Sequence, residues 1–102
     1  DGLFVEKQND QVTGIHLVKT DLKNKTGYFT LTGVNPDMKR LGIGRNLWKQ
    51  SFAYWAKESD IEMIKSPFSF QNAESFNFHL KMGFNKIEET KYIYHHRNNI
   101  HK

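Results

Sequence analysis

The sequence contains no cysteine among its 102 residues. This absence excludes disulfide bonds, thiolate zinc sites and a cysteine nucleophile. It also fits a reducing compartment, so we expect a cytoplasmic location. No apolar run approaches the roughly 18 residues that a membrane-spanning helix needs, and the first residues lack the pattern of a secretory signal. We therefore expect no membrane partner.

Positive charge is in excess, but the excess is small. Fifteen Lys and Arg against eleven Asp and Glu give a net charge of +4 and an isoelectric point near 9.4. A balance of this size is compatible with nucleic acid, an acidic membrane surface or a phosphorylated small molecule. The cations are scattered and no RNA- or DNA-binding signature is present, so a basic nucleic-acid-binding module is kept only as an alternative.

The composition is that of a folded protein with one core. Hydrophobic residues make up 37% of the chain, aromatic residues 14% and charged residues 25%, which argues against intrinsic disorder. The length suits one domain, and no repeat or low-complexity stretch divides it. We therefore expect a single domain over residues 1–102.

The hydrophobic pattern predicts an α+β (mixed α/β) fold. The first third is rich in β-branched and aromatic residues, whereas Ile43, Leu47, Trp48, Phe52 and Trp55 form the apolar stripe of a helix. The predicted order is β-β-β-α-β-α-β-β, with strands over 3–7, 12–18, 28–34, 61–66, 87–90 and 92–95 and helices over 43–56 and 73–82. The third strand, first helix and fourth strand form a central βαβ unit, whose crossover should be right-handed and whose two strands should be parallel. The N-terminal strands are expected to be antiparallel.

The segment between the third strand and the first helix carries the chemistry. Gly42 and Gly44 leave room for backbone amides to approach a ligand, and Lys39, Arg40 and Arg45 add positive charge around them. A helix N-terminus at this point would favour a phosphate group, so a pyrophosphate ligand fits the segment. A plain tight turn would use the same two glycines. The segment lacks the third glycine of a dinucleotide fingerprint and the Gly-Lys-Ser/Thr of a P-loop, which argues against a nicotinamide or a nucleoside triphosphate.

Two sequence motifs, one in this segment and one further along the chain, resemble those of a known family. Lys39-Arg40-Leu41-Gly42-Ile43-Gly44 resembles the acyl-CoA loop of the GCN5-related N-acetyltransferase (GNAT) superfamily, which lies between a bulged strand and a helix. The run Asn72-Ala73-Glu74-Ser75-Phe76-Asn77-Phe78-His79-Leu80-Lys81-Met82-Gly83-Phe84 resembles the Asn-led helix of that superfamily, which ends in Lys-Leu-Gly-Phe. The likeness covers about residues 12–96 and corresponds to the C-terminal, acyl-CoA-binding part.

The resemblance implies acetyl-CoA as co-substrate and a set of residues that bind it. Its pyrophosphate would be held by backbone amides of the loop, and its pantetheine arm would pair like an extra strand with the strand before the loop. The superfamily usually has Arg or Gln at the position of Lys39, which keeps a positive charge but lacks a planar guanidinium. The guanidinium of Arg40 would compensate for this loss. A bulge at Gly33 would open the sheet for the thioester. The implied cofactor-binding residues are Thr32, Val34, Lys39, Arg40, Leu41, Gly42, Ile43, Gly44, Arg45 and Asn72.

The resemblance also implies the reaction, which is transfer of an acetyl group to a primary amine by direct attack in a ternary complex. Backbone N–H groups near Thr32 would polarise the thioester. Many relatives use a Tyr seven residues after the helix Asn as proton donor, and that position is His79 here. Tyr92 is the second catalytic candidate, with Tyr94 behind it. No general base is assigned, because Glu62 fits an outward-facing strand residue equally well.

The resemblance leaves the acceptor open. A sugar nucleotide, a protein N-terminus, a polyamine and an antibiotic all offer a suitable amine. The superfamily opens with a strand and two helices that form much of the acceptor wall, and this sequence starts almost at the next hairpin. We therefore expect an N-terminally truncated domain, and a catalytically inactive CoA-binding or partner-binding module is the alternative. An exposed edge and face would favour a homodimer. No metal site is expected, because His95 and His96 point to opposite faces of a strand.

Overall fold

The structure is a computed structural model that describes residues 2–38, 41–58, 60–69, 71–88 and 92–96, with side chains at all of these except 58, 88 and 92–96. Its elements follow the predicted order. They are β1 (Gly2–Gln8), β2 (Gln11–Asp21), β3 (Thr26–Val34), a 3-10 turn (Pro36–Met38), α1 (Ile43–Glu58), β4 (Met63–Pro67), α2 (Ala73–Lys81), β5 (Lys86–Glu88) and β6 (Tyr92–His96).

The described strands form one sheet in the order β1-β2-β3-β4-β6-β5. The strands β3 and β4 are parallel and the other neighbours are antiparallel. The predicted α+β class, the antiparallel N-terminal strands and the central βαβ unit are therefore confirmed. The fourth strand starts at Met63, two residues later than predicted, and Ile61 is buried ahead of it.

The sheet opens between β3 and β4. These strands pair only from Thr26 to Tyr28 on β3 and from Met63 to Lys65 on β4. Beyond Tyr28, the described part of β3 is paired with β2 alone. The gap between the two strands therefore widens toward the N-terminus of α1.

The predicted bulge at Gly33 is wrong, because Gly33 pairs regularly with Ile15. Leu31 pairs with Leu17 and Phe29 pairs with Val18, so that Thr30 is the extra residue. The Thr30 hydroxyl donates to the Leu17 carbonyl oxygen at 3.0 Å. Thr30 is not among the described residues with positive φ, so this bulge does not need a glycine. The residue type at position 30 therefore could not have predicted the bulge.

The core lies between the sheet and both helices. Trp48 of α1 and His79 of α2 are in ring contact at 4.8 Å, so the two helices lie on the same face of the sheet. The buried cluster consists of Val18, Phe29, Trp48, Phe52, Trp55, Ile61, Ile64 and Phe84. Each large apolar side chain buried in this way contributes about 1.5–3 kcal/mol to folding. The apolar stripe predicted for the first helix is confirmed as the inner face of α1.

The opposite face of the sheet leaves apolar side chains exposed. Leu3 is 59% exposed, Val5 38% and Leu31 49%. Leu3 and Leu31 both flank Leu17 of the central strand β2. Among the described residues, no helix has the length and apolar character to span a bilayer.

Candidate functional site

The first turn of α1 presents backbone N–H groups without a helical partner. The first helical bond runs from Asn46 N–H to the Gly42 carbonyl oxygen at 2.9 Å. The N–H groups of Ile43, Gly44 and Arg45 precede this bond and lie in the first turn, where helix amides lack an intrahelical partner. Gly42 has φ +79°, a backbone conformation that a residue with a Cβ adopts at a cost. The chain thus turns sharply at Gly42 into the first turn of α1.

The two helix N-termini differ in how they are completed. At the start of α2, the Asn72 side chain accepts a hydrogen bond from Ser75 N–H at 3.0 Å, and Glu74 lies in the first turn. The first turn of α1 contains no acidic residue and contains Arg45 instead. A cation at this position is unfavourable to the helix dipole unless an anion joins it. The entry to α1 is therefore suited to an external anion, whereas α2 supplies its own cap.

A groove of about 800 Å³ begins at these amides and runs between the end of β3 and one face of α2. Its lining residues are Val34, Met38, Leu41, Gly42, Ile43, Gly44, Arg45, Glu74, Asn77, Phe78, Lys81 and Met82. Val34 and residues 41–45 were predicted for the site. The α2 residues were missed, although their spacing of three and four residues marks one helical face.

The unpaired edge of β3 completes the groove with backbone groups. Asn35 N–H donates to the Thr13 carbonyl oxygen at 2.8 Å. This bond shows which pairs of the antiparallel β2–β3 ladder are hydrogen-bonded. Bonded and non-bonded pairs alternate in such a ladder, so that Thr32 and Val34 fall in the non-bonded class. Their N–H and C=O groups point away from β2 and into the gap beside β4. An extended ligand with amide groups could pair there as an additional strand.

On the helix side of the sheet, a closed ring of hydrogen bonds joins the Thr32 side chain to His16, Ser51 and Trp48. Trp48 Nε1–H donates to Thr32 Oγ1 at 3.0 Å, and Thr32 Oγ1 lies 2.9 Å from His16 Nδ1. His16 Nε2 lies 3.2 Å from Ser51 Oγ, whose hydroxyl donates to the Trp48 carbonyl oxygen at 2.7 Å. Burial lowers the pKa of His16 to about 4, so its ring is neutral at physiological pH. The network fixes the end of β3 against α1.

His79 is buried and both of its ring nitrogens have partners. Nδ1 lies 2.7 Å from the Ser75 carbonyl oxygen, which can only accept, so Nδ1 carries the proton. Nε2 therefore accepts from the Ser66 hydroxyl at 2.6 Å. Burial lowers the pKa of His79, which keeps the ring neutral. The Nδ1 proton is held by the Ser75 carbonyl oxygen and Nε2 faces the Ser66 hydroxyl, so the geometry does not support direct proton donation by this ring.

A second groove, of about 870 Å³, lies on the outer face of the sheet where the gap begins. It is lined by Lys19, Thr20, Asp21, Leu22, Tyr28, Phe29, Thr30 and Pro67. Hydrogen bonds from the Asn24 side chain and backbone lower the pKa of Asp21. The carboxylate is therefore charged at neutral pH. This groove and the α1–α2 groove lie on opposite faces of the sheet near the same gap.

Comparison with known proteins assigns the family. Residues 1–84 match the sequence model of the Acetyltransferase (GNAT) family. The chain belongs to the GNAT acetyltransferase family. A search of curated proteins found no match.

Solved structures support the GNAT fold. The chain is similar to a GNAT-family acetyltransferase from Staphylococcus aureus Mu50 (TM-score 0.83, 15% identity, 93% of this chain and 67% of that one). It is similar to the ribosomal-protein-S18-alanine N-acetyltransferase of Escherichia coli (TM-score 0.77, 19% identity, 90% and 64%). It is also similar to the PaiA N-acetyltransferase of Thermoplasma acidophilum, solved in complex with coenzyme A (TM-score 0.80, 16% identity, 92% and 59%). The chain thus spans about two thirds of the length of these proteins or less.

Several predicted site residues of this GNAT chain fall outside the part that the structure describes. Lys39 and Arg40 lie outside the described residues, and so do the side chains of Tyr92 and of the histidines at 95 and 96. Glu62, considered as a base, is an exposed residue whose carboxylate lies 3.6 Å from Lys25 Nζ. Within the described ranges, no group of three metal-ligating side chains is present.

Proposed function

We propose that this GNAT chain binds acetyl-CoA and transfers its acetyl group to a primary amine by direct attack in a ternary complex. The pyrophosphate would lie on the amides of Leu41 to Arg45. The pantetheine arm would pair with Thr32 and Val34 along the open edge of β3. Lys39 and Arg40 are proposed to add positive charge at the loop.

One observation carries this proposal: the groove that begins at the amides of the α1 entry reaches the open edge of β3 at Val34. A diphosphate attached to an arm with two amides has matching chemistry for both. From Val34 to Thr30 the strand rises by about 13 Å, at roughly 3.3 Å per residue. An arm bound along it would carry its thioester from the loop to the narrow end of the gap.

The catalytic residues remain proposals. Backbone groups of β3 between Thr32 and the bulge at Thr30 would polarise the thioester carbonyl. His79 and Tyr92 are the candidate proton-transfer residues. The partners found for His79 support a role as proton acceptor through Ser66 rather than as a direct donor.

The amine is proposed to enter through the outer groove. Asp21 offers a charged carboxylate there, which would attract a protonated amine before attack. This feature favours a basic acceptor, such as a polyamine or a cationic antibiotic, over a sugar nucleotide. A protein N-terminus is also compatible.

The proposal is tested by titration calorimetry with CoA and acetyl-CoA. We expect dissociation constants in the micromolar range or below, together with a higher melting temperature when the ligand is bound. Thiol release is then followed across a panel of amines. Absence of both heat and a melting shift would exclude the proposed function.

The alternative is a catalytically inactive CoA-binding or partner-binding module. It would bind CoA normally but release no thiol with any amine in the panel. A salt-dependent gel shift without any CoA effect would instead indicate a nucleic-acid-binding module.

Three broader expectations also stay proposals. Residues 1–102 are proposed to form a single acyl-CoA N-acyltransferase domain, N-terminally truncated relative to the family. A homodimer would cover the exposed face that includes Leu3, Val5 and Leu31. The cytoplasmic location rests on the absence of cysteine alone.

A further inference from the structure

We propose that Ser66 and His79 form a proton shuttle at the narrow end of the gap, with the Ser66 hydroxyl as the group that touches the reacting atoms. This inference rests on the proposed acetyl transfer. It assigns a catalytic role to Ser66, which the sequence motifs do not mark, and makes His79 the residue that stores the proton.

The position of Ser66 follows from the strand register. Lys65 is the last β4 residue that pairs with β3, so Ser66 is the first residue at which the sheet is open. Its side chain points to the helix face, because it contacts His79 of α2. On β3 the same level is occupied by Phe29 and the bulged Thr30. A thioester carried down β3 from the α1 loop would reach this level.

The donor and the acceptor can be assigned in both hydrogen bonds of the His79 ring. The Ser75 carbonyl oxygen requires a proton on Nδ1, and this leaves Nε2 as the acceptor of the Ser66 hydroxyl proton. A hydroxyl bonded to a neutral imidazole, whose other nitrogen is fixed by a third group, is an arrangement that activates serine for proton transfer. Ser66 Oγ keeps its lone pairs for an incoming N–H.

The proton balance of the reaction can be met by this pair alone. When the neutral amine attacks, a C–N bond forms and the nitrogen becomes positively charged. Its proton passes to Ser66 Oγ while the Ser66 proton passes to His79 Nε2. The C–S bond then breaks, the thiolate takes a proton from Ser66 Oγ, and His79 returns its proton to Ser66. The products are the amide and the free thiol of CoA, and both residues regain their initial state.

The chain contains a matched control for this pair. Ser51 Oγ also lies near a buried histidine ring, at 3.2 Å from His16 Nε2, and Ser51 is likewise fully buried. It belongs to α1 and faces His16 of β2, whereas Ser66 lies where β3 and β4 stop pairing. Loss of the Ser51 hydroxyl therefore reproduces the loss of a buried Ser–His hydrogen bond without touching the proposed shuttle.

The test compares wild type with Ser66→Ala, Ser66→Thr, His79→Gln and Ser51→Ala. Thiol release is measured at saturating acetyl-CoA with spermidine, an alanine-starting peptide and glucosamine as acceptors, beside calorimetric CoA binding and melting temperature. We expect Ser66→Ala and His79→Gln to lower kcat by roughly 10²–10³-fold with unchanged CoA affinity. Ser66→Thr should retain most of the activity. Ser51→Ala, which loosens the network that holds Thr32, should lower stability and reduce kcat far less than Ser66→Ala does.

Two results would overturn the shuttle while leaving the proposed function intact. They are an unchanged kcat in Ser66→Ala, or equal losses of kcat in Ser66→Ala and Ser51→Ala. Ping-pong kinetics with an acetylated Ser66 would overturn both the shuttle and the direct attack. If no acceptor is turned over, a crystal structure with CoA decides, because the shuttle requires the sulfur within hydrogen-bond reach of Ser66 Oγ. A sulfur elsewhere in a fully bound CoA refutes it. Failure of wild type to bind CoA would refute the proposed function itself.

Discussion

The indole ring of Trp55 lies directly against the backbone of Gly27. A Cβ on Gly27 would be 2.5 Å from Cζ2 of the ring and under 3 Å from two further ring atoms. Trp55 is fully buried and its Nε1–H donates to Thr20 Oγ1 at 2.9 Å. The ring therefore cannot withdraw without breaking this partly buried hydrogen bond. Gly27 is one of the three β3 residues that pair with β4, so the Trp55 ring packs over the closed part of the sheet.

Gly27→Ala should destabilise the fold by about 2–3 kcal/mol, because the added methyl group overpacks the core at Trp55. Urea denaturation measures the change. Gly33→Ala on the same strand is the control, since its nearest neighbour would be Ile15 Cγ1 at 3.7 Å. That control should be neutral or slightly stabilising. Equal stability of the two variants would contradict the close contact.

Gly44→Leu should abolish CoA binding without unfolding the protein. A Cβ at this position would contact Phe78 and Val34 at 3.8 Å, an ordinary distance, but a longer side chain would fill the groove. We expect a loss of affinity of roughly 100-fold or more by calorimetry, equivalent to about 2.8 kcal/mol. Ala53→Leu adds the same side chain at an exposed position of α1 and should bind CoA normally.

Stability should fall as the pH is lowered from 6.5 toward 4. The pKa of His16 is about 4 in the folded protein against an ordinary value of 6.5, so the unfolded chain takes up a proton that the folded chain does not. The expected loss from His16 is about 2 kcal/mol at pH 5 and roughly 3 kcal/mol at pH 4. Burial lowers the pKa of His79 too, which adds a loss of the same sign. Urea denaturation from pH 8 to pH 5 checks this, and a flat profile would contradict neutral buried rings.

Asn72 can be tested for its two proposed roles separately. Asn72→Ala should cost about 1 kcal/mol of stability, because the bond to Ser75 N–H is lost. Asn72→Ser keeps a capping oxygen and should restore most of that stability. If Asn72 also contacts the cofactor, both variants should bind CoA more weakly. Wild-type affinity in Asn72→Ser would leave the residue as a helix cap alone.

Short-range patterns were enough to predict much of this protein. The helical stripe that includes Trp48 and Trp55, the Asn72 cap and the end of α2 at Gly83 are fixed by neighbouring residues along the chain. The same holds for the loop at Gly42, where a positive φ calls for a residue without a Cβ. Predictions of this kind succeed because helical stripes, caps and tight turns depend on residues only a few positions apart.

The bulge that was predicted wrongly and the α2 residues that were missed both depend on contacts between distant segments. The bulge lies at Thr30 rather than at Gly33, because strand pairing places it and the residue type does not. The groove face of α2 becomes visible only when α2 lies beside the α1 loop.

The sequence by itself determined the order of elements, the loop that faces an anion and the family to which the chain belongs, because each depends on spacing along the chain. Only the tertiary structure decided where the sheet opens and that Ser66 donates to His79 across 13 positions of sequence. Hydrogen bonds between separate elements depend on how those elements pack, and packing is a property of the whole fold.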